Sequence, residues 1–211
     1  MNYFLSMKLE IFIPARLESR RFPNKIIKKI FGFPMILHVI KRAKYSNNFK
    51  KPIVISNSKK IKKLIKNNDA KLLFSKKKHS SGTSRVAEIS KKIKYKIALI
   101  LFADEPFIDP KKIKLIIKKL NNIKNYDLIN VVTNLDKSDM SSKEIVKCIV
   151  NRHGYIDDYF RNKKIKLKNK SRIFKSSGIL IFKKKILDNF QDLKYSHKER
   201  INKVEQFKFL E

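Results

Sequence analysis

Arginines are concentrated in one short segment near the start of this sequence. The chain has 52 basic residues, of which only nine are arginines, yet Arg16, Arg20 and Arg21 lie within six residues of one another. Ser19 and Lys25 add a hydroxyl and an ammonium group to the same segment. Because a guanidinium group binds phosphate through two parallel hydrogen bonds, this spacing indicates a polyphosphate site. An exposed basic loop would explain the same residues, and the pattern Gly-x-x-x-x-Gly-Lys-Ser/Thr of a P-loop is absent.

A second polar segment, His79 to Glu88, places small residues at the predicted start of a helix. Ser81, Gly82 and Thr83 open this helix. The first backbone N–H groups of a helix have no partner within it, so they can donate to an anion or to the edge of a base. Arg85 follows in the first turn and can reach a phosphate. An ordinary N-cap and turn would also explain the Ser-Gly-Thr sequence.

A carboxylate, Asp104, comes shortly after a fully apolar run, Ile97 to Phe102. A carboxylate at the carboxyl end of a strand, beside a bound triphosphate, is a ligand for Mg²⁺, which takes oxygen ligands and shares substrate phosphates. Asp104 is therefore a candidate metal ligand. The alternative is an aspartate that caps the turn before Pro106.

Short apolar strands alternate with amphipathic segments of about ten residues through the first two thirds of the chain. The predicted strands are 9–13, 52–56, 71–74, 97–102 and 128–132, and the predicted helices are 34–43, 59–67, 83–93 and 110–120. This alternation predicts parallel crossovers, with helices on both faces of the sheet and ligands at the carboxyl ends of its strands. The loops after the first, third and fourth strands should then line the site.

The pattern changes from Glu144 onward. Strands are predicted at 145–150 and 178–182, separated by lysine-rich sequence without clear periodicity. We therefore predict a single α/β domain with a mostly parallel, Rossmann-like sheet in residues 1–143 and an appended, smaller β-rich half in residues 144–211.

Composition excludes several classes of protein. The net charge of +34 would suit a nucleic-acid or membrane surface, but lysine supplies 43 of the 52 basic residues and is spread over every segment. We therefore predict no nucleic-acid partner. No apolar run of 18 residues and no signal-peptide pattern is present, which predicts no membrane insertion. The single cysteine, Cys148, lies in predicted strand core, so we expect a cytoplasmic protein in which it has no catalytic role.

Several segments together resemble the motifs of CMP-Kdo synthetases, the 3-deoxy-manno-octulosonate cytidylyltransferases. Residues 13–25 share the pattern Ile-Pro-Ala-Arg-x-x-Ser-x-Arg-Phe-Pro-x-Lys. Residues 79–88 are similar to His-x-Ser-Gly-Thr-Glu-Arg-x-Ala-Glu, and residues 102–106 to Gln-Gly-Asp-Glu-Pro. Weaker matches lie at 146–160 and 196–207, so the resemblance extends over nearly the whole chain.

The resemblance implies a nucleotide-diphospho-sugar transferase fold and a specific reaction. In this reaction the anomeric hydroxyl of Kdo, an eight-carbon acidic sugar, attacks the α-phosphorus of CTP and releases pyrophosphate. The product would serve lipopolysaccharide synthesis. The resemblance also implies Mg²⁺ as cofactor, CTP and an acidic sugar as substrates, and a homodimer.

The resemblance further assigns individual residues, with catalysis arising mainly from positioning and charge neutralisation. The residues that it places on the triphosphate are Ala15, Arg16, Ser19, Arg21 and Lys25. The cytidine part is assigned to Ser81, Gly82, Thr83 and Arg85, and the metal to Asp104. The sugar is assigned to Tyr155, Ser176, Glu205 and Gln206.

Some positions depart from the family pattern. Phe102 and Ala103 replace glutamine and glycine, Ser84 replaces a glutamate, and Ser176 replaces a histidine. Family members continue past the position of Glu211 with a segment that includes a second magnesium-binding aspartate. Here Asp104 and phosphates alone would hold the metal, unless Asp109 or a neighbouring subunit supplies a substitute. Two alternatives stay open: activation of another acidic sugar, and a degenerate chain that binds nucleotide without turnover.

Overall fold

The structure, a computed structural model, describes residues 8–18, 22–47, 50–66, 69–75, 77–162 and 171–210. These residues form two compact units. One unit comprises the described residues up to Ile129 together with Gly178–Gln191, and the other comprises those in Asn130–Ser177 and from Asp192 onward. The observed division differs from the predicted one at residue 143. The second unit begins at Asn130, and the chain returns to the first unit for residues Gly178–Gln191.

Apart from a short two-stranded hairpin before the first helix, which the sequence did not predict, the elements follow the predicted order as far as the fourth helix. In the described residues the strands are β1 (Leu9–Pro14), β2 (Lys29–Ile30), β3 (Phe33–Pro34), β4 (Ile53–Ser56), β5 (Lys71–Phe74), β6 (Ile97–Leu101), β7 (Leu128–Thr133), β8 (Lys147–Val150), β9 (Ile156–Phe160) and β10 (Arg172–Lys183). The α-helices are α1 (Met35–Ser46), α2 (Lys59–Ile65), α3 (Gly82–Ser90), α4 (Pro110–Lys119), α5 (Lys137–Ser141), α6 (Lys184–Asp188) and α7 (His197–Asn202). Short 3-10 helices lie at Lys25–Ile27, Leu120–Asn122 and Glu205–Phe209.

Strand β1 lies in the interior of the sheet in the first unit. The strand order is β5-β4-β1-β6-β10. The first four strands run parallel, and β10 is antiparallel to β6. All of β1 except Glu10 is buried, as expected for a parallel strand that is covered on both faces. The predicted α/β class with a mostly parallel sheet is confirmed.

The order in which the strands are connected reverses at β1 in the first unit. After β1 the chain proceeds to β4 on one side, and it later returns to β6 on the other side. Ligands of open α/β sheets bind where the strand order reverses in this way, outside the carboxyl ends of the two central strands. The residues that follow β1 and β6 are therefore those that can meet a ligand.

The spacing of apolar residues in helix α1 determines which face of the helix is buried. Ile36, Val39, Ile40 and Ala43 are buried, and their spacing places them on one stripe of the helix.

None of the helices in the described part of the chain has the length and hydropathy that crossing a bilayer would require.

The second unit is built on antiparallel pairs. β8 pairs with β9 and with the first part of β10, so that Cys148 lies opposite both Tyr159 and Phe174. Cys148 and Tyr159 are buried together with Val204 and Phe207. Burial raises the pKa of the Cys148 thiol to about 12, which is consistent with the predicted place of this residue in strand core.

Two strand predictions differ from the structure. β7 was expected to continue the parallel alternation, but it pairs with β10. β10 begins at Arg172, whereas the sequence predicted a strand only from residue 178. Residues 172–177 carry basic and hydroxyl side chains without strict alternation, and their hydrogen bonding to β8 overrides this weak local preference.

Candidate functional site

The loop that follows β1 is anchored by the backbone of Ala15. This buried residue donates its N–H to the carbonyl oxygen of Ile55 (2.9 Å) and accepts a hydrogen bond from Arg85 (3.3 Å). Arg16 comes next and is exposed at the carboxyl end of the strand. The predicted residues Ser19 and Arg21 lie outside the described residues. Both backbone groups of Ala15 therefore already bind protein atoms, and the exposed cation that follows it directly is the Arg16 side chain.

Lys25 and Asp104 meet at the carboxyl ends of β1 and β6. Lys25 begins a short 3-10 helix that follows Asn24, a residue in the left-handed region (φ 60°). Its Nζ atom lies 2.6 Å from Oδ2 of Asp104. The two side chains are 33% and 45% exposed, respectively. The residues predicted to be catalytic are Arg16, Arg21, Lys25 and Asp104. The structure brings together two of them, Lys25 and Asp104, at an edge that solvent can reach.

Asp104 fits only one kind of metal site. Within the described ranges no three histidine, cysteine, aspartate or glutamate side chains come together as a possible metal centre. Mg²⁺ in nucleotide-handling sites needs no such cluster, since one or two carboxylates and the substrate phosphates suffice. An exposed carboxylate at a sheet switch point, outside any such cluster in the described residues, thus fits a magnesium ion that arrives with a nucleotide, and does not fit a cation held by protein groups alone.

Helix α3 begins at the predicted residues. Ser81 is its N-cap and accepts a hydrogen bond from the backbone N–H of Ser84 (3.1 Å), while Ser84 Oγ accepts one from the N–H of Ser81 (3.2 Å). This reciprocal pair is a capping box. Ser84, which replaces a glutamate of the family pattern, thus keeps the capping function with a shorter side chain. Gly82 and the buried Thr83 form the first turn behind the cap.

Arg85 has a role that the sequence did not predict. Its side chain is buried, with 3% of the residue exposed. Nη1 donates to the carbonyl oxygen of Ala15 and to Oδ1 of Asn57 (3.1 Å), so the guanidinium group joins the loops after β1 and β4. Burial lowers the pKa of Arg85, the nearby charge of Glu18 opposes this shift, and that of Arg16 adds to it. Contact between Arg85 and a phosphate stays a prediction.

Sequence reasoning missed two further groups of the first unit. Asn57 follows directly after β4, and a polar residue at the carboxyl end of a buried parallel strand is a signal that could have found it. His79 Nε2 lies 2.6 Å from Oε2 of Glu88 and 3.0 Å from Oγ of Ser75, which is fully buried. His79, in the segment before α3, thus contacts both the end of β5 and α3 itself.

In the second unit, Ser176 belongs to a hydroxyl–amide network. Oδ1 of Asn130 accepts hydrogen bonds from Ser176 Oγ (3.0 Å) and from the Tyr159 hydroxyl (3.1 Å). Burial raises the pKa of Tyr159, so this phenol stays a donor at neutral pH. Asn130 was also missed by sequence reasoning, although a lone amide within the apolar run 128–132 was a usable signal.

The other residues predicted for the sugar lie at different places in the second unit. Tyr155 is on the turn between β8 and β9, where it is 67% exposed, next to Gly154 with φ 85°. Glu205 and Gln206 begin the 3-10 helix Glu205–Phe209, and both are partly buried. Their neighbour Phe207 packs edge-on against Tyr159, with ring centroids 5.6 Å apart. The residue next to Gln206 in the chain thus packs on a member of the Asn130 network.

Comparison with known proteins shows the family to which this chain belongs. The sequence model of the cytidylyltransferase family matches residues 11–211. A 3-deoxy-manno-octulosonate cytidylyltransferase of Thermodesulfovibrio yellowstonii is 31% identical, and the match covers 94% of this chain and 84% of that protein. The enzyme of the same name from Wigglesworthia glossinidia brevipalpis is 36% identical over 71% of this chain and 62% of its own length. The corresponding protein of Christiangramia forsetii is 29% identical, with coverage of 97% and 85%.

Solved structures agree with the sequence comparison. The structure of CMP:2-keto-3-deoxy-manno-octonic acid synthetase complexed with CTP superposes with a TM-score of 0.86 at 26% identity, covering 96% of this chain and 85% of that one. A cytidylyltransferase from Leptospira borgpetersenii serovar Hardjo-bovis, at 19% identity and a TM-score of 0.62, supports the fold alone. The predicted nucleotide-diphospho-sugar transferase fold is confirmed.

Proposed function

Because this chain belongs to the family of 3-deoxy-manno-octulosonate cytidylyltransferases, we propose that it transfers the cytidylyl group of CTP to Kdo. The anomeric hydroxyl oxygen of the sugar forms a bond to the α-phosphorus and loses its proton. The bond between the α-phosphorus and the bridging oxygen breaks, and pyrophosphate leaves. In such a transfer the protein contributes mainly positioning and neutralisation of charge on the phosphates.

The observation that carries this proposal is the meeting of Lys25 and Asp104 at the switch point of the parallel sheet, 2.6 Å apart. A cation from the loop after β1 and a carboxylate from the loop after β6 stand where α/β sheets bind nucleotides. We assign the β- and γ-phosphates to Lys25 and to the exposed Arg16. Arg21 and Ser19 are proposed to join them on the strength of the resemblance.

Asp104 is the proposed ligand of Mg²⁺. When bound, the ion would withdraw charge from the phosphate oxygens and so make pyrophosphate a better leaving group. Asp104 supplies one carboxylate for it. Lys25, which binds this carboxylate in the structure, is proposed to bind a phosphate instead when CTP is present.

The cytidine part of CTP is assigned to the start of α3. Ser81 and Ser84 hold the first turn through their capping box, and Gly82 and Thr83 lie in that turn. Backbone N–H groups at a helix start are donors for phosphate or base oxygens. Arg85 and Ala15 are proposed to act here through the loop geometry that their mutual hydrogen bond maintains.

The sugar is assigned to residues of the second unit. Ser176 occupies the position of a family histidine, and its hydroxyl is oriented by Asn130. Gln206 and Glu205 offer amide and carboxyl groups for the sugar hydroxyls, and Tyr155 offers an exposed phenol. We further propose a cytoplasmic homodimer with Mg²⁺ as cofactor, whose product is used in lipopolysaccharide synthesis.

Pyrophosphate release from CTP and Mg²⁺, measured with and without Kdo, tests the proposal. We expect release that depends on Kdo and that Asp104→Ala abolishes. Asp109→Ala is the matched control, since Asp109 is a nearby carboxylate whose side chain caps α4 through the N–H of Lys111 (2.8 Å). That variant should lose about 1 kcal/mol of stability and keep its turnover. Pyrophosphate release that depends on a different acidic sugar would show that this sugar, and not Kdo, is the substrate. CTP binding without release for any sugar would contradict transferase activity.

A further inference from the structure

The four glycines of this chain fall into two structurally different pairs. Gly32 and Gly154 have φ values of 82° and 85°, and in the described part of the chain no atom beyond the glycine and its two chain neighbours lies within 4 Å of the position that a Cβ atom would take. These two glycines serve turns. Gly82 and Gly178 have no positive φ, and their Cβ positions are crowded by neighbouring side chains. At both positions a neighbouring side chain would have to shift to admit a Cβ atom.

At Gly82 the close group is the ring of Phe102. A Cβ atom would lie 2.6 Å from Cε1 and 3.3 Å from Cδ1 of this ring, and 3.1 Å from Cγ of Pro14. The ring therefore rests on the bare backbone of the first turn of α3, next to the last residue of β1. This contact fixes the distance between the end of β6 and the start of α3.

At Gly178 the close group is the side chain of Glu105. A Cβ atom would lie 2.5 Å from Cγ, 2.6 Å from Oε1 and 2.9 Å from Cδ of Glu105. The N–H of Gly178 donates to Glu105 Oε1 (3.1 Å), and its carbonyl oxygen accepts from the N–H of Phe102 (2.9 Å). Both backbone polar groups of Gly178 are thus used to hold the segment that follows β6.

Gly82 and Gly178 contact the residues at the two ends of one turn. Gly82 lies against Phe102, and Gly178 binds both Phe102 and Glu105. The N–H of Glu105 donates to the carbonyl oxygen of Phe102 (3.2 Å), which closes a turn that contains Asp104. The backbone of this turn is held, whereas the Asp104 side chain is 45% exposed. A carboxylate on a fixed backbone loses less entropy when it binds a ligand than one on a mobile loop.

We propose that Phe102 and Glu105 are positioning residues, which act through Gly82 and Gly178 to hold the Asp104 carboxylate in the orientation that binds the metal–triphosphate complex. This inference rests on the proposed function, in which Asp104 is the metal ligand. A purely structural role would make Glu105 and Gly178 matter for stability without a specific effect on the metal.

Metal affinity in the presence of CTP separates these two roles. Mn²⁺ binding to the full-length protein with saturating CTP is followed by electron paramagnetic resonance, and thermal unfolding is recorded for every variant. Glu105→Ala removes the acceptor for Gly178 and should weaken Mn²⁺ binding by about tenfold, as loss of a group that orients a metal ligand does. Glu105→Gln keeps an acceptor oxygen at the same place and should bind Mn²⁺ nearly as the unaltered protein does.

A double variant tests whether the contact itself carries the effect. Gly178→Ala forces the Glu105 side chain away and should weaken Mn²⁺ binding as Glu105→Ala does. Combining the two changes should cost no more than Glu105→Ala alone, because the clash is then removed. The control is Gly32→Ala, which strains a turn of positive φ; it should lower the unfolding temperature and leave Mn²⁺ affinity unchanged.

The outcomes distinguish the inference from the function on which it rests. If the unaltered protein binds no Mn²⁺ with CTP, the proposed metal role of Asp104 fails, and the inference fails with it. If it binds Mn²⁺ and Glu105→Ala binds equally well, the positioning role alone is overturned. Metal affinities that merely follow unfolding temperature across all variants, Gly32→Ala included, would also overturn it.

Discussion

The ammonium group of Lys25 lies 2.6 Å from the Asp104 carboxylate, and this ion pair joins the loops that follow β1 and β6. Each partner is proposed to bind a different part of the substrate complex, Lys25 the phosphates and Asp104 the metal. Without nucleotide, Lys25 occupies an oxygen atom that the metal would use. When a triphosphate binds, it offers Lys25 another anionic partner and makes that carboxylate oxygen available.

Replacing Lys25 should therefore strengthen metal binding when no nucleotide is present. We expect Lys25→Met to raise the Mn²⁺ affinity of the nucleotide-free protein by about two- to fivefold, the range that corresponds to loss of one exposed ion pair. The same variant should bind CTP more weakly. Mn²⁺ titration followed by electron paramagnetic resonance, with and without CTP, measures both effects.

The control for this prediction is Lys50→Met. Lys50 and Glu10 form an ion pair of the same length, 2.6 Å, within the same unit. Its loss should change neither metal nor CTP binding. An unchanged or lower metal affinity in nucleotide-free Lys25→Met would contradict the competition between Lys25 and the metal.

The parts of this site that the sequence predicts are those in which local chemistry and strand order suffice. Arg16, Lys25 and Asp104 were candidates because charged residues follow apolar strands, and the alternation of strands with helices sets the edge at which Lys25 and Asp104 meet. The hydrogen bonds of Arg85 to Ala15 and Asn57 could not be predicted in this way, since they join residues 70 and 28 positions apart in the chain.

The second unit was less predictable for a related reason. Its strands pair antiparallel across large separations, as when Phe174 lies opposite Cys148, and the lysine-rich sequence hides their alternation. Gly82 and Gly178 present a similar limit. A sequence shows that a glycine is present, but whether it serves a turn or a close approach depends on which side chain reaches it in the folded protein.

The start of α3 should be sensitive to its N-cap in a way that affects nucleotide binding. Ser81→Ala removes the acceptor for the N–H of Ser84, and we expect it to cost about 1 kcal/mol of stability. Because the proposed nucleotide contacts lie in the same turn, the KM for CTP should also rise severalfold. Urea unfolding and steady-state kinetics provide the two measurements.

A comparable cap elsewhere shows whether the kinetic effect is specific. Ser58 caps α2 by accepting a hydrogen bond from the N–H of Ile61 (3.3 Å). Ser58→Ala should cost similar stability and leave the KM for CTP unchanged. Equal rises of KM in both variants would show that the effect comes from general destabilisation.

Asn130 should matter more for the sugar than for the nucleotide. Asn130→Ala leaves the hydroxyls of Ser176 and Tyr159 without their shared acceptor, at a cost of about 1–3 kcal/mol. We expect a larger rise of the KM for Kdo than of the KM for CTP, because Ser176 loses its orientation.

Tyr159→Phe is the companion to this change. It removes the hydroxyl of Tyr159 and keeps the ring that packs against Phe207. This variant should therefore lose stability with little change in the KM for Kdo. A KM for CTP that rises as much as that for Kdo in Asn130→Ala would argue against a sugar-side role of the network.

His79 should make the stability of the protein depend on pH. Burial lowers the pKa of His79 and the positive charges of Arg85 and Lys77 act in the same direction, whereas Glu88 opposes the shift. The unfolded chain then binds the proton more readily than the folded one, so the free energy of unfolding falls as the pH drops from about 6.5 toward the lowered pKa. Below the lowered pKa this contribution becomes constant.

Urea unfolding at a series of pH values measures this dependence. His79→Gln should remove the part of the slope that lies below pH ~6.5, since glutamine does not titrate and can still bind Ser75 or Glu88. His153→Gln is the control, because His153 is exposed on the turn after β8, and this variant should keep the slope. If His79→Gln retains the full slope, another group takes up the proton, and His79 does not link the stability of the protein to pH.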